Sequence, residues 1–156
     1  VIAVIVGTFF FSNNGSEANK NAQILLEQLN KEGQKSQSLA ENGSYTSKDE
    51  VALYIYKFNK LPKNFITKKD AMALGWDAKS GNLWQISSGK SIGGDRFSNR
   101  EKRLPEADGR KWFECDVNYN GGRRGAERIL YSNDGLIYYT PDHYEHFYLL
   151  YEKRMQ

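Results

Sequence analysis

A carboxylate, an imidazole and several cations lie along the chain at positions that suit phosphoryl transfer. Glu114 is a candidate general base, and His143 is a candidate general acid because an imidazole titrates near pH ~6.5. Lys68, Arg124 and Arg128 are candidates for stabilising the charge that develops on a phosphorane, although by pattern alone the arginines indicate only a basic loop. Cleavage of RNA through its own 2′-hydroxyl requires these parts: a base for the hydroxyl proton, an acid for the leaving 5′-oxygen, and cations.

The candidate base lies within a strand-like run, residues 111–117. Period-two alternation divides the run into two faces, with Trp112, Glu114 and Asp116 on one and Phe113, Cys115 and Val117 on the other. A carboxylate in the middle of a strand indicates that its face lines a groove; the alternative is an ordinary exposed strand residue. His143 follows Pro141 in a loop, where functional residues are common, although a lone loop histidine is more often simply solvated.

The composition sets broad limits on function. Lys and Arg number 22 against 19 Asp and Glu, and the charge of +3 with a pI near 8.9 suits a polyanionic partner without specifying one. The single cysteine, Cys115, excludes an intrachain disulfide and is expected to be a small buried residue. Two histidines and one cysteine offer no zinc cluster, so we expect no metal and no cofactor.

The chain divides into three parts. Residues 1–11 are nearly all apolar but amount to about half of the ~20 residues that span a bilayer, which favours an export segment or the remnant of a membrane anchor. Residues 12–46 are polar, with a short amphipathic helix predicted to end at Gly33 and then a linker. Residues 47–156 form the expected folded domain. Because residues 1–11 resemble an export segment, we expect a secreted protein. The sequence leaves open whether the polar segment, residues 12–46, packs on the domain.

Within the domain, helical patterns come first and strand patterns follow. Capping sequences at Ser47 and Thr67 predict helices that end near Pro62 and Gly75, and a third short helix is plausible at residues 83–86. Five strand-like runs follow, at residues 92–97, 111–117, 128–132, 136–140 and 147–151. This order predicts an α+β fold, with two to three N-terminal helices packed on one face of a twisted antiparallel sheet of about five strands.

Seven short runs between residues 47 and 151 carry a specific resemblance. They read Lys60-Leu61-Pro62, Ile66-Thr67-Lys68, Ala73-Leu74-Gly75-Trp76, Gly89-Lys90-Ser91-Ile92-Gly93-Gly94-Asp95, Phe97-Ser98-Asn99-Arg100-Glu101, Arg128-Ile129-Leu130-Tyr131-Ser132 and Asp142-His143-Tyr144. In this order, and in register without a gap, they resemble the small secreted guanyl-preferring bacterial ribonucleases of the barnase type.

The resemblance implies a role for each candidate residue. Glu114 occupies the general-base position and His143 the general-acid position, and Lys68, Arg124 and Arg128 form the phosphate clamp. It also implies that residues 97–101 read guanine, together with an aromatic residue of the histidine loop. The residues concerned are Phe97, Ser98, Asn99, Arg100, Glu101 and Tyr144.

Guanine recognition would divide between backbone and side chains. Backbone N–H groups of Ser98, Asn99 and Arg100 would face the O6 and N7 acceptors, while the Glu101 carboxylate would accept from N1–H and N2–H. Phe97 and Tyr144 would then serve as stacking platforms, as is common for single-stranded RNA.

The expected activity is therefore that of a monomeric endoribonuclease that cleaves single-stranded RNA 3′ of guanine without a metal. The products would be a 2′,3′-cyclic phosphate and then a 3′-phosphate. The resemblance also implies a protein inhibitor of the barstar type. The alternatives are a secreted RNA-targeting toxin domain, or an RNA-binding module with weak or no cleavage.

Some positions match scaffold residues of the family, and others depart from it. Arg110 and Asp134 match a structural ion pair. The loop of residues 120–123 ends in Arg123 where the relatives carry an aromatic, which would extend phosphate binding. Phe113 stands where the relatives have an arginine beside the base, so we expect one local positive charge to be missing. His146 has no counterpart and is interpreted as a surface strand residue.

Overall fold

The structure is a computed structural model that describes residues 15–153. The chain divides into two compact units, one ending at Ser38 and the other beginning at Leu39. In chain order the elements are α1 (Gly15–Gln37), α2 (Lys48–Phe58), β1 (Phe65–Ile66), α3 (Lys68–Ala73), α4 (Leu83–Ile86), β2 (Ser91–Phe97), β3 (Trp112–Asp116), β4 (Arg128–Ser132), β5 (Leu136–Thr140) and β6 (Tyr148–Glu152).

The described part of the first unit is the helix α1. It spans Gly15–Gln37, so it continues past Gly33, where the sequence predicted its end. One glycine costs a helix only about 1 kcal/mol, and the flanking Lys, Glu and Gln residues are good helix formers. Four apolar side chains on α1 are each more than half exposed: Ile24, Leu25, Leu26 and Leu29.

Two predictions for the N-terminal region concern export and membrane attachment. The apolar segment, residues 1–11, lies outside the described residues. Within residues 15–153, no helix combines the length and the apolar character needed to cross a membrane.

The second unit is built on a six-stranded sheet whose strand order follows the chain, from β1 to β6. Strands β2 to β6 pair antiparallel, and β1 adds a short parallel edge to β2. The helices precede the antiparallel strands, which confirms the predicted α+β class. The sequence prediction of about five strands omitted β1, because two residues are too few to show alternation.

Helix α2 covers one face of the sheet. Ser47 Oγ accepts a hydrogen bond from Glu50 N (3.3 Å) and donates one to the Glu50 carboxylate (2.8 Å), so the predicted helix cap at Ser47 is confirmed. Apolar residues of the helix and the sheet form one buried core: Val51, Ala52, Ile55, Cys115, Val117, Ile129 and Ile137. Burial of Cys115 agrees with its interpretation as a small core residue.

The other face of the sheet carries a second core together with the loops that follow β2 and β5. Its buried members are Leu104, Trp112, Leu130 and Leu136, with Phe97, Tyr138, Tyr144 and Phe147 packed against them. Trp112 and Glu114 share this face through the alternation of β3. The candidate base therefore lies beside an apolar cluster that anchors both neighbouring loops.

Residues 39–46 precede the domain as the sequence delimited it, yet they contact it. Tyr45 exchanges two hydrogen bonds with the Asn64 side chain, at 3.1 and 2.8 Å. Asn118 N donates to Thr46 O (2.7 Å), and the Lys60 ammonium pairs with Glu41 at 2.7 Å. These contacts fix the start of the second unit ahead of α2.

Candidate active site

Glu114 lies in the middle of β3, and its side chain is almost fully enclosed, with a relative exposure of 7%. Lys68 Nζ, at the first residue of α3, donates to Glu114 Oε1 at 2.7 Å. The Tyr144 hydroxyl donates to Glu114 Oε2. Each carboxylate oxygen therefore has a donor, and the two donors come from opposite ends of the domain sequence.

These contacts determine the protonation of Glu114. Burial acts to raise the pKa of the carboxyl group, but hydrogen bonds from Lys68 and Tyr144 and the charges of Lys68 and Arg124 act in the opposite direction. The net result is a pKa below the ordinary value for glutamate. Glu114 is therefore ionised near neutral pH, as a general base must be.

Asp116, two residues further along β3, holds the two candidate arginines together. Its carboxylate accepts from Arg124 Nε at 2.7 Å and from Arg124 Nη2 at 2.6 Å, a bidentate pair. Arg128 Nε lies 3.0 Å from Asp116 Oδ1. Asp116 and Arg128 are only 2% and 3% exposed, so one buried carboxylate faces two guanidinium groups and the cluster keeps one net positive charge. Strand alternation predicted that Asp116 shares the face of Glu114, but nothing in the sequence pattern gave it a role.

The loop that carries Arg124 packs against Trp84 of α4 and against Tyr119. Gly121 (φ 96°) approaches the Trp84 ring so closely that an added Cβ would lie 2.8 Å from Trp84 Cε3. Tyr119 packs edge-on against the same ring and donates its hydroxyl to Gly122 O at 2.7 Å. A glycine is required at 121 for this contact. Arg123 projects from the same loop with an exposed side chain.

His143 lies in the loop between β5 and β6, as the sequence predicted, and its side chain is exposed. Both His143 (φ 55°) and Tyr144 (φ 76°) have left-handed backbone conformations, which are uncommon for residues with a Cβ. His143 N donates to Ala126 O at 3.1 Å, and the imidazole contacts the Tyr144 ring with centroids 4.7 Å apart. The imidazole is therefore beside the tyrosine that binds Glu114 and is open to a substrate.

Side chains within this loop hold its unusual backbone. Asp142 accepts from Thr140 Oγ1 (3.1 Å) and from His146 N (2.9 Å), and it pairs with His146 Nδ1 at 2.6 Å. Tyr144 N donates to Thr140 Oγ1 at 2.9 Å. His146 therefore belongs to the loop and precedes β6, so its interpretation as a strand residue is wrong.

The predicted guanine loop and the histidine loop enclose one cavity of about 340 Å³. Its lining comprises Phe97, Ser98, Asn99, Arg100, Glu101, Arg103, His143, Tyr144, Glu145 and Phe147. All of the residues predicted to recognise guanine lie on this lining. Phe97 and Tyr144 stack on each other, with ring centroids 5.2 Å apart. The two predicted platforms thus form a single wall.

Within the guanine loop the side chains differ in what they contact. Asn99 is 6% exposed and its amide is bonded both to Leu104 N (3.0 Å) and to Leu104 O (2.9 Å), so this side chain shapes the loop. The Glu101 side chain is 80% exposed, and its nearest cation is Arg103 at 4.0 Å. Glu101 is therefore accessible to a ligand in the cavity.

Phe113 does not have the effect on the base that the sequence predicted. It faces away from Glu114, stacks on Tyr131 with centroids 5.6 Å apart, and lies beneath the Arg96 guanidinium at 5.4 Å. An arginine at this position would project from the opposite face of the sheet, away from the Glu114 carboxylate. The predicted structural pair is present, with Arg110 Nη2 2.8 Å from Asp134 Oδ2.

The structure thus brings Glu114, Lys68, Arg124 and Arg128 into one cluster around β3 and joins that cluster to His143 and the cavity through Tyr144. A carboxylate base, an exposed imidazole acid and fixed cations lie beside a cavity the size of a nucleobase. This arrangement suits phosphoryl transfer at a phosphodiester. Residues 15–153 contain no group of three or more His, Cys, Asp or Glu side chains placed to hold a metal ion.

A fold and a site of this kind define a nuclease of the α+β class, and comparison with known proteins gives the family. The family described as "Ribonuclease" matches residues 48–151, so the chain belongs to the ribonuclease family. It is 58% identical over 99 residues to a ribonuclease of Heyndrickxia coagulans, a match covering 64% of this chain and 91% of that protein. Ribonucleases of Bacillus intermedius and Bacillus pumilus are also 58% identical over 99 residues, with 64% of this chain matched. The match spans only 61% of the length of each of these two relatives.

Proposed function

We propose that this ribonuclease cleaves single-stranded RNA on the 3′ side of guanine by metal-independent transesterification, followed by hydrolysis. The observation that carries the proposal is the position of Glu114. It is a buried, ionised carboxylate with a cation on one oxygen and, through Tyr144, a direct link to the loop of an exposed histidine.

In the first step Glu114 removes the proton from the 2′-hydroxyl, and the oxygen attacks the adjacent phosphorus. The P–O5′ bond breaks as His143 gives its proton to the leaving 5′-oxygen, and a 2′,3′-cyclic phosphate remains. In the second step the roles exchange: His143 takes a proton from water and the water oxygen attacks phosphorus. The P–O2′ bond then breaks as Glu114 gives its proton to the leaving 2′-oxygen. The product is a 3′-phosphate.

The cations stabilise the charge that builds on the phosphorane. Arg124 and Arg128 are held by Asp116 before any substrate arrives, so little reorganisation is needed during the reaction. Lys68 holds the ionised base and adds positive charge on the same side. Side chains therefore supply a base, an acid and a charge clamp, which is why the proposal requires no metal.

Guanine preference is supported by the cavity between residues 97–103 and the histidine loop. The wall of Phe97 and Tyr144 offers an aromatic surface, and the exposed Glu101 carboxylate can accept from N1–H and N2–H of a guanine. Adenine presents an acceptor at N1 and would lose both of these bonds. A comparison of GpN and ApN dinucleotides measures this preference directly.

Action outside the producing cell and control by a protein inhibitor belong to the same proposal. The apolar residues 1–11 support export. Four cationic groups around the site would attract an acidic inhibitor of the barstar type: Lys68, Arg100, Arg124 and Arg128. Charge steering of this kind is well known for barnase with barstar, so the idea comes from the proteins that this chain resembles. Binding of such an inhibitor should slow as salt rises, since fields are screened beyond ~10 Å at 0.1 M.

The decisive test is Glu114→Gln, which keeps the shape of the side chain but removes the base. Turnover of a GpN dinucleotide in EDTA should fall ~10²–10⁴-fold. Asp108→Asn, the same chemical change at an exposed loop position, is the matched control and should retain full turnover. Thermal unfolding of both variants tests whether each is folded. Near-normal turnover by a folded Glu114→Gln variant would refute the proposed mechanism.

A further inference from the structure

Arg103 follows the predicted guanine loop and has no role in the reaction as described above. Its guanidinium reaches across the cavity to the histidine loop, where Nη1 donates to Tyr144 O at 2.9 Å and Nη2 donates to Glu145 O at 2.6 Å. The planar fork of arginine suits two acceptors held side by side. The side chain is 44% exposed, and its guanidinium also lies 6.0 Å from the centre of the Phe147 ring.

The two acceptors belong to a strained segment. His143 and Tyr144 are consecutive residues with positive φ, and such conformations cost about 1–2 kcal/mol per residue with a Cβ. A backbone of this kind persists only where surrounding contacts hold it. Arg103 fixes the carbonyl groups on the C-terminal side of this segment, while Thr140 and Asp142 hold it from within.

The other end of Arg103 is fixed to the guanine loop. Leu104, the next residue, has both its N–H and its C=O bonded to the Asn99 side chain. The same guanidinium lies 4.0 Å from Glu101, the predicted acceptor for guanine. One side chain thus joins the loop that would read the base to the loop that would deliver the proton.

We propose that Arg103 is a positioning residue that couples the guanine loop to the placement of His143. The inference rests on the proposed function, because it assumes that His143 is the acid. Both terminal nitrogens of its guanidinium donate to carbonyl groups of the histidine loop, so Arg103 acts on that loop. Loss of the Arg103 side chain leaves the guanine loop in place but allows the His143 imidazole to move away from the leaving 5′-oxygen.

The test compares Arg103→Ala and Arg103→Lys with Lys102→Gln, which removes the charge of the neighbouring residue, whose side chain is 75% exposed. With a GpN dinucleotide, Arg103→Ala should lower kcat about 10–100-fold, the range expected for a small misplacement of a catalytic group. KM and the Kd for guanosine 3′-monophosphate should change less than about threefold. The kcat of Arg103→Lys, which can bond only one carbonyl group well, should lie between those of Arg103→Ala and the wild type. The kcat of Lys102→Gln should equal that of the wild type.

Two further readouts separate positioning from other roles. A substrate with a nitrophenyl leaving group needs no acid, so its turnover should be nearly insensitive to Arg103→Ala. Hydrogen exchange at the amides of residues 143–146 should become faster in that variant. Thermal unfolding shows whether the variant is folded, and if Arg103→Ala is not, Arg103→Lys carries the comparison.

Several outcomes would overturn the inference. A rise in KM with unchanged kcat would mean that Arg103 contacts the substrate directly. Equal loss with both leaving groups, or unchanged amide exchange, would also refute it. If the wild-type protein itself fails to cleave RNA, the proposed function fails and so does the catalytic coupling, while the exchange measurement still decides whether Arg103 holds the loop.

Discussion

Replacement of Asp116 by asparagine tests whether one buried carboxylate organises the cationic side of the site. The substitution keeps the shape but removes the charge that faces Arg124 at 2.6 Å and Arg128 at 3.0 Å. Arg128 is 3% exposed and cannot turn to water, so its guanidinium would remain buried without that counter-charge. Loss of one partner from a buried ion pair typically costs about 3–5 kcal/mol.

The effect on thermal stability follows from this free energy. At roughly 4 °C per kcal/mol for a domain of about this size, Tm should fall by about 12–20 °C. The matched control is Asp134→Asn. It removes the charge from a similar arginine pair whose side chains are 16% and 30% exposed, and for a pair nearer the surface we expect a loss of about 1 kcal/mol.

Added phosphate distinguishes a lost counter-charge from general damage to the fold. Arg124, whose side chain is 19% exposed, loses its carboxylate partner in the Asp116→Asn variant and should bind inorganic phosphate. A ligand at about 100 times its Kd stabilises the folded state by about 2.7 kcal/mol. Differential scanning fluorimetry across a phosphate series should therefore recover more of the lost Tm in Asp116→Asn than in Asp134→Asn. Equal losses in the two variants, or no greater recovery with phosphate, would refute the role given to Asp116.

Three further predictions concern the reaction itself. Burial raises the pKa of Glu114, but the opposing effect of Lys68 and Tyr144 is larger and the net pKa is lowered. The acidic limb of kcat/KM should therefore lie below the ordinary glutamate pKa, and Lys68→Ala should move that limb to higher pH. His143→Gln should reduce dinucleotide turnover ~10²–10⁴-fold and abolish the basic limb, with a smaller loss for a nitrophenyl ester; a basic limb that persists would exclude His143 as the acid. DNA of matched sequence should bind without being cleaved in EDTA, because it lacks the 2′-hydroxyl, and its rapid cleavage would contradict the mechanism.

Local patterns were enough to predict most of the secondary structure and the identity of several site residues. Ser47 and Thr67 begin helices because each side chain caps the N–H three residues later, a contact within one turn of the chain. Alternation along β3 is also a local signal, because it depends only on neighbouring residues, and it predicted that Glu114 and Asp116 share one face. The family resemblance, carried by short runs in register, gave Glu114 and His143 their predicted roles.

Short or irregular segments were beyond those patterns. Strand β1 has two residues and pairs parallel to β2, so it exists only because the folded chain brings Phe65 beside Ser91. The helix α1 extends through Gly33, since helix length depends on the sum of many weak preferences and one glycine decides little. His146 precedes the strand-like run 147–151, so the sequence suggested a strand residue, but Asp142 holds it in a loop.

The contacts that would make the site work were decided by the tertiary structure. Lys68 and Tyr144 bond the two oxygens of Glu114 from positions 46 residues before it and 30 residues after it. Asp116 joins Arg124 of the following loop to Arg128 at the start of β4, and Arg103 reaches carbonyl groups 41 and 42 residues away. Sequence periodicity describes which way a side chain faces on its own element. Which distant partner it meets depends on strand register and on loops that other side chains hold in place, and these arise only when the whole sheet has formed.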